Sequence, residues 1–110
     1  MENVELIALS CKISSGAFSD ERVFEIEVPD NQEPYIGAAP RQYCWDVKGK
    51  ALVAGIPSPG KTIPGKIAAR LLDTRGDTAL VSIPDGEVIL VATKLITKRP
   101  ESARNVPVKS

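Results

Sequence analysis

The segment of this chain that most resembles a chemical motif is residues 55–62, with the sequence Gly-Ile-Pro-Ser-Pro-Gly-Lys-Thr. It fits G-x-x-x-x-G-K-[ST], the pattern of loops whose backbone amides surround phosphate groups while a lysine reaches the terminal phosphates and a hydroxyl holds magnesium. On that interpretation Gly60, Lys61 and Thr62 bind phosphate, and Asp85 supplies the acidic partner of the metal.

The prolines of the same segment favour a simpler interpretation, an irregular loop. Pro57 and Pro59 lack the amides that would surround a phosphate, and Pro64 interrupts the helix that should begin at the lysine. Three prolines and three glycines among residues 55–65 are typical of a linker or a functional loop. The two interpretations make opposite demands on residues 66–73, which must be helical for a phosphate-binding loop and extended for an all-β fold.

Aromatic residues form the second candidate site. Tyr35, Tyr43 and Trp45 are three of the five aromatic residues in the chain. If the chain is extended around Trp45, Tyr43 and Trp45 share one face and Cys44 points the other way. Paired rings on a strand can stack nucleobases, and Arg41 beside them can contact phosphates. The alternative is that these rings belong to the hydrophobic core.

Basic residues near the end of the chain form the third candidate. Lys94, Lys98 and Arg99 can contact phosphates of a nucleic acid, or they can protect an edge strand from pairing with another sheet. Together with the aromatic site, the residues that we expect to contact a partner are Tyr35, Arg41, Tyr43, Trp45, Lys94, Lys98 and Arg99.

The composition favours a binding module over an enzyme. The 110 residues include no histidine, which excludes Ser-His-Asp and Cys-His catalysis and every histidine metal site. Cys11 and Cys44 do not have the spacing of a metal motif, and the paired carboxylates in loops do not have the spacing of a calcium loop. We therefore expect no catalytic residues, no metal and no cofactor.

The charges and apolar runs bear on the cellular environment. Lys and Arg number 14 and balance 14 Asp and Glu, with the acids concentrated before residue 41 and the bases after it. No apolar run approaches the roughly 20 residues that span a bilayer, and residues 1–5 lack the basic leader of a secretory signal. These features predict a cytoplasmic protein, without membrane contact, whose two cysteines are free thiols.

Two stretches that repeat one pattern predict how these residues are positioned. Residues 24–31 and 79–86 each contain an alternating apolar run followed by Pro-Asp and a turn residue, and apolar runs at 35–39 and 88–92 follow. This pattern is typical of a β-hairpin, and its repetition indicates two related halves. Together with the remaining apolar runs, these stretches predict strands at 4–9, 22–28, 42–47, 51–54, 66–73, 78–83 and 95–97, besides the runs at 35–39 and 88–92.

The second half carries a resemblance to a known class of fold. Residues 65–70 (Gly-Lys-Ile-Ala-Ala-Arg) and 79–91 (Ala-Leu-Val-Ser-Ile-Pro-Asp-Gly-Glu-Val-Ile-Leu-Val) read as strand, turn, strand, hairpin and strand. This order resembles the SH3-like small barrels, the group that includes Tudor and KOW modules. The resemblance implies an all-β fold of six to eight short antiparallel strands, either one SH3-like barrel or two half-barrels sharing one core.

The sequence thus predicts a single domain over residues 1–99, with halves 3–54 and 65–99 joined by the loop 55–65, and a disordered tail over 100–110. The expected function is a non-catalytic binding module for nucleic acid or a protein partner. The alternatives are a structural protein that forms homo-oligomers through sheet edges, and nucleotide binding through residues 55–62.

Overall fold

Antiparallel strands form most of the described structure, as the sequence predicts. The computed structural model describes residues 5–16, 20–29, 33–50 and 60–99. In these ranges the chain forms eight strands and two short 3₁₀ turns, η1 and η2, and no α-helix. In chain order they are β1 (Glu5–Ser15), β2 (Glu21–Ile26), β3 (Tyr35–Pro40), η1 (Arg41–Tyr43), β4 (Cys44–Asp46), β5 (Thr62–Arg75), β6 (Thr78–Ser82), β7 (Val88–Ala92), η2 (Thr93–Leu95) and β8 (Ile96–Thr97).

The two longest strands, β1 and β5, form the centre of the sheet. They pair antiparallel from Glu5↔Leu71 to Ser14↔Thr62. The sheet order is β3-β2-β1-β5-β6-β7, so a hairpin flanks the central pair on each side. The outermost strands of this order are β3 and β7, and in the described residues each of them pairs on one side only; the short strands β4 and β8 lie off this order, on β5 and β1.

The halves repeat one arrangement and exchange their last strands. Each half contains a long strand, a hairpin, a 3₁₀ turn and a short closing strand, which is β4 in the first half and β8 in the second. β4 pairs with β5 and β8 pairs with β1, so each closing strand joins the long strand of the other half. Corresponding hydrogen bonds recur as well, because the amides of Arg41 and Thr93 donate to the carbonyls of Asp20 and Asp77, both at 2.8 Å.

One hydrophobic core takes residues from both halves. Alternation along β1 and β5 directs Ile7, Leu9 and Ile67 to the same face, where they are buried. Full burial of each such side chain contributes about 1.5–3 kcal/mol. The other buried members of this core are Ile13, Phe24, Ile26, Ala39, Cys44, Ala69, Val81, Ile83 and Val91.

A smaller cluster lies on the opposite face of the β1–β5 pair. Ala8 and Ala68 are register partners at its centre, and Tyr43 and Trp45 pack against them. The alanine side chains are short, so two large rings fit over the sheet at this point. Tyr43 and Trp45 therefore share one face, as expected, while Cys44 belongs to the core on the other face.

The prediction of a strand over residues 66–73 is confirmed, but the strand begins earlier than expected. β5 starts at Thr62 and so includes four residues that we predicted to be irregular. Pro64 is tolerated because it lies one residue beyond the last β4–β5 pair, Asp46↔Gly65, where that side of β5 needs no amide donor. At Gly65 a Cβ atom would lie 2.5 Å from Ile13 Cδ1 and 2.7 Å from the carbonyl oxygen of Trp45, so the close approach of three strands requires glycine.

Other boundaries differ in smaller ways. Only Cys44–Asp46 of the predicted strand 42–47 is extended, since the chain turns through η1 before it. β1 continues to Ser15, six residues past the predicted end, because Lys12, Ile13, Ser14 and Ser15 pair with β2. The predicted strand 51–54, most of the loop 55–65, the turn at Asp30 and the tail 100–110 lie outside the described residues.

Candidate functional site

The structure encloses two of the three aromatic residues that the sequence suggested for binding. Tyr43 and Trp45 are each 3% exposed, in the small cluster with Ala8 and Ala68. A nucleobase can stack only on a ring whose face is open to solvent. These two side chains therefore contribute to packing in this conformation, which is the core interpretation of the sequence.

Arg99 is likewise buried, with 7% of its surface exposed. Its Nε donates to the carbonyl oxygen of Ile7 at 3.0 Å, and its Nη2 donates to that of Ala69 at 3.1 Å. Burial lowers the pKa of its guanidinium, and the neighbouring Tyr43 opposes that effect. One charged side chain thus connects the two central strands, so Arg99 is a structural residue.

Tyr35 connects the two halves at their other end. Its hydroxyl donates a 2.6 Å hydrogen bond to Oδ2 of Asp85, in the β6–β7 turn, and its ring stacks on Phe24 at a centroid distance of 6.2 Å. Burial raises the pKa of the Tyr35 hydroxyl, and the hydrogen bond to Asp85 and the charges of Asp85 and Glu87 raise it further. Gly37 makes room for this contact, because a Cβ there would lie 2.5 Å from Asp85 Oδ2.

The three other predicted basic residues are exposed but belong to different elements. Arg41 begins η1, Lys94 lies in η2, and Lys98 follows β8. With Tyr43, Trp45 and Arg99 buried, the predicted combination of open rings and bases is not assembled in the described structure.

Residues 60–62, which the phosphate-binding alternative depends on, do not have the geometry of a phosphate-binding loop. Gly60 has a positive φ of 81° and Lys61 is exposed, but Thr62 begins β5 rather than a helix. The helix N-terminus that would favour an anion is therefore missing from the residues that follow Lys61. Asp85, the suggested metal partner, accepts hydrogen bonds at both oxygens, from Tyr35 and from the amide of Glu87. Residues 55–59 of the motif are outside the described ranges.

Both cysteines are free thiols, as expected. Burial raises the pKa of Cys11, and the nearby Cys44 raises it further. Burial also raises the pKa of Cys44 to about 12, against a smaller opposite effect of Arg22. A thiol with a raised pKa stays protonated at neutral pH and is a poor nucleophile or metal ligand.

The sheet edges, which the sequence analysis names as a route to homo-oligomers, expose backbone groups and apolar side chains. Hydrogen bonds at both ends of the β6–β7 pair show which amides of β7 face outward. The Ile83 amide donates to the Glu87 carbonyl at 3.0 Å, and the Thr93 amide donates to the Asp77 carbonyl at 2.8 Å. Because hydrogen-bonded and non-bonded pairs alternate in antiparallel sheets, Val88, Leu90 and Ala92 direct their N–H and C=O groups away from β6.

The same reasoning describes the other edge, β3. The Arg41 amide donates to the Asp20 carbonyl, so Ile36, Ala38 and Pro40 direct their backbone groups outward. Pro40 has no N–H to offer, and Pro34 occupies the next alternate position before the strand. Prolines at both ends therefore protect β3 against pairing with another strand, which is a common defence of edge strands.

Among the residues that the structure describes, the β7 edge has no such protection. Its sequence is Val-Ile-Leu-Val-Ala, without proline or charge. Val88 is 52% exposed and Leu90 is 39% exposed, while Ile89 and Val91 pack toward the core. We refer to the outward backbone groups and side chains of Val88, Leu90 and Ala92 as the β7 edge.

Charged residues flank the β7 edge with opposite signs. Asp85 and Glu87, both exposed, precede the strand, and Lys94, also exposed, follows it. A groove of about 430 Å³ lies beside the edge, and its lining residues are Val28, Pro29, Glu33, Pro34, Tyr35, Ile89 and Leu90.

The chain matches no known protein-family model, no curated protein and no solved structure. The described ranges contain no helix of the length and apolar character that crossing a membrane would require. Within those ranges, no group of three His, Cys, Asp or Glu side chains is arranged to hold a metal ion.

Proposed function

We propose that this protein is a non-catalytic protein-interaction module that binds its partner by strand addition at the β7 edge. The observation that carries the proposal is the unprotected edge itself, where the outward backbone groups of Val88, Leu90 and Ala92 accompany exposed apolar side chains. In strand addition, main-chain hydrogen bonds supply affinity and alternate side chains supply specificity.

The buried rings favour a protein partner over a nucleic acid. Sequence-independent binding to single strands needs open aromatic faces beside a positively charged groove, whereas Tyr43 and Trp45 are enclosed and Arg99 bonds to backbone carbonyls. The order of elements in each half supports a resemblance to SH3-like modules with exchanged closing strands. That assignment, like a cytoplasmic location, is part of the proposal.

Selection of displayed peptides tests the proposal without a known partner. Random peptides of about 12 residues are selected on the immobilised full chain and then measured against two proline variants. Val88→Pro removes an outward amide at the first residue of β7, and Ile36→Pro removes an outward amide on β3. Neither amide belongs to the β6–β7 or β2–β3 ladder, so both variants should fold, which their thermal unfolding checks.

We expect selected peptides to lose about tenfold or more in affinity for Val88→Pro and to bind Ile36→Pro as they bind the wild type. Peptides that bind both variants equally well would contradict the proposal.

A second experiment tests nucleic acid, the other candidate partner. A fluorescent single-stranded oligonucleotide of about 20 nucleotides is titrated at low and at physiological salt. The proposal predicts no saturable binding. Binding that weakens steeply with salt and is lost in Lys94→Ala and Lys98→Ala would instead support the nucleic-acid function.

A further inference from the structure

We infer that the partner at the β7 edge is a second copy of this chain, with the two β7 strands antiparallel about a two-fold axis at Leu90. This inference rests on the proposed function, since it names the occupant of the same edge. A symmetric dimer uses one surface patch twice, so the patch must complement itself. Three properties of β7 meet this requirement.

The first property is the hydrogen-bonding pattern. Val88, Leu90 and Ala92 all direct their backbone groups outward, and these are the residues that face one another when the axis passes through Leu90. Val88 of each copy then lies opposite Ala92 of the other, and the two Leu90 residues face each other. Each facing pair exchanges two bonds, which gives about six hydrogen bonds across the axis.

The second property is the match of side chains. In this register Val88 lies beside Ala92 of the second copy, and Leu90 lies beside its own symmetry mate. Leu80 is the register partner of Leu90 on β6, so it extends the apolar surface behind the contact. The exposed apolar area of Val88 and Leu90 would be covered without placing a polar group in the contact.

The third property is charge. Asp85 and Glu87 lie at the start of β7 and Lys94 lies just past its end, all three exposed. An antiparallel arrangement places the acidic end of one copy beside the basic end of the other at both ends of the interface. A parallel arrangement would place like charges together, so charge selects the antiparallel, two-fold arrangement.

The β3 edge fails the same test of self-complementarity. Its outward positions include Pro40, and Pro34 lies at the next alternate position, so two copies of β3 could form only the central pairs of a ladder. An interface through β7 is therefore specific to one edge of the sheet. It would join the two sheets into one continuous sheet.

Sedimentation equilibrium of the full chain, from about 5 to about 500 µM, measures the association directly. An interface of one strand pair is small, so we expect a dimer with a dissociation constant of about 1–100 µM. Val88→Pro and Leu90→Lys should each raise that constant by about tenfold or more while thermal stability is retained, and Ile36→Pro should leave it unchanged.

A charge exchange tests the orientation of the two copies. Glu87→Lys and Lys94→Glu should each weaken the dimer a few-fold at low salt, because each places like charges together. The double variant restores opposite charges across an antiparallel interface and should recover most of the wild-type affinity.

Each outcome has a definite meaning. A protein that stays monomeric at the highest concentration, while selected peptides still require the β7 edge, overturns the second-copy inference and leaves the proposed function standing. If no peptide and no second copy uses the edge, both fail. A dimer that is insensitive to Val88→Pro but lost in Ile36→Pro also overturns the inference, because it would use the β3 edge.

Discussion

Arg99 shows how one side chain can look functional in sequence and be structural in the fold. Its place beside Lys98 near the end of the chain suggested a phosphate contact. In the structure it is buried, and its guanidinium bonds to the carbonyls of Ile7 on β1 and Ala69 on β5. The sequence contains no local signal of this role, because both acceptors are backbone atoms distant along the chain.

Arg99→Ala is therefore expected to destabilise the fold by about 2–4 kcal/mol, since it removes charge-assisted hydrogen bonds and leaves two buried carbonyls without these donors. Denaturant unfolding measures the effect. Lys98, the exposed residue next to Arg99, provides the matched control. Lys98→Ala should change the free energy of unfolding by no more than about 0.5 kcal/mol. If both variants are equally stable, Arg99 is not the structural connection described above.

At the scale of elements, the sequence predicted local structure well and pairing poorly. The alternating runs before each Pro-Asp correctly indicated β2–β3 and β6–β7. The exchange of β4 and β8 between halves could not be predicted, because such short strands carry little pattern and their partners lie far along the chain. Pro64 within β5 was missed for a related reason, since only the pairing shows that its missing amide is not needed.

The contact between β3 and the β6–β7 turn gives a prediction of pH dependence. The pKa of Tyr35 is raised in the folded state, by burial first and by Asp85 next, so the neutral hydroxyl is favoured by folding. The contribution of Tyr35 to stability is fully present below the pKa of tyrosine in the unfolded chain, about 10. It is lost as the pH rises above that value toward the folded-state pKa.

Tyr35→Phe removes this contribution, so the wild type should be more stable than the variant at neutral pH, with an advantage that shrinks above about pH 10. Urea unfolding at several pH values measures the difference. An advantage that grows with pH, or does not exist at neutral pH, would show that the hydrogen bond to Asp85 does not stabilise the fold.

At the scale of the molecule, the shared core and the exchanged closing strands connect the two halves. Phe24 and Ile26 of the first half and Val81 and Ile83 of the second belong to one core. We therefore expect the halves to unfold together. A sequence pattern could suggest two related halves, but whether they share a core depends on contacts that only the folded structure defines.

Val81→Ala tests this cooperativity. It removes core contacts in the second half and should lower the free energy of unfolding by about 2 kcal/mol. Trp45, the only tryptophan, belongs to the first half and packs against Ala8 of β1 and Ala68 of β5, so its fluorescence reports on the packing of β4 against both long strands. The fluorescence transition and the far-ultraviolet circular dichroism transition should shift by the same amount. A fluorescence midpoint that stays at its wild-type value would show that the halves unfold independently.

The direct test of the β7 edge as an interface is residue-resolved amide hydrogen exchange, measured by NMR at about 5 µM and about 500 µM protein. An interface at β7 predicts that the outward amides of Val88, Leu90 and Ala92 exchange about three- to tenfold more slowly at the high concentration than at the low one, because the fraction of monomer falls by that factor. The outward amides of Ile36 and Ala38 on β3 should remain unprotected. Exchange at β7 that does not depend on concentration, or protection that develops at β3 instead, would contradict it.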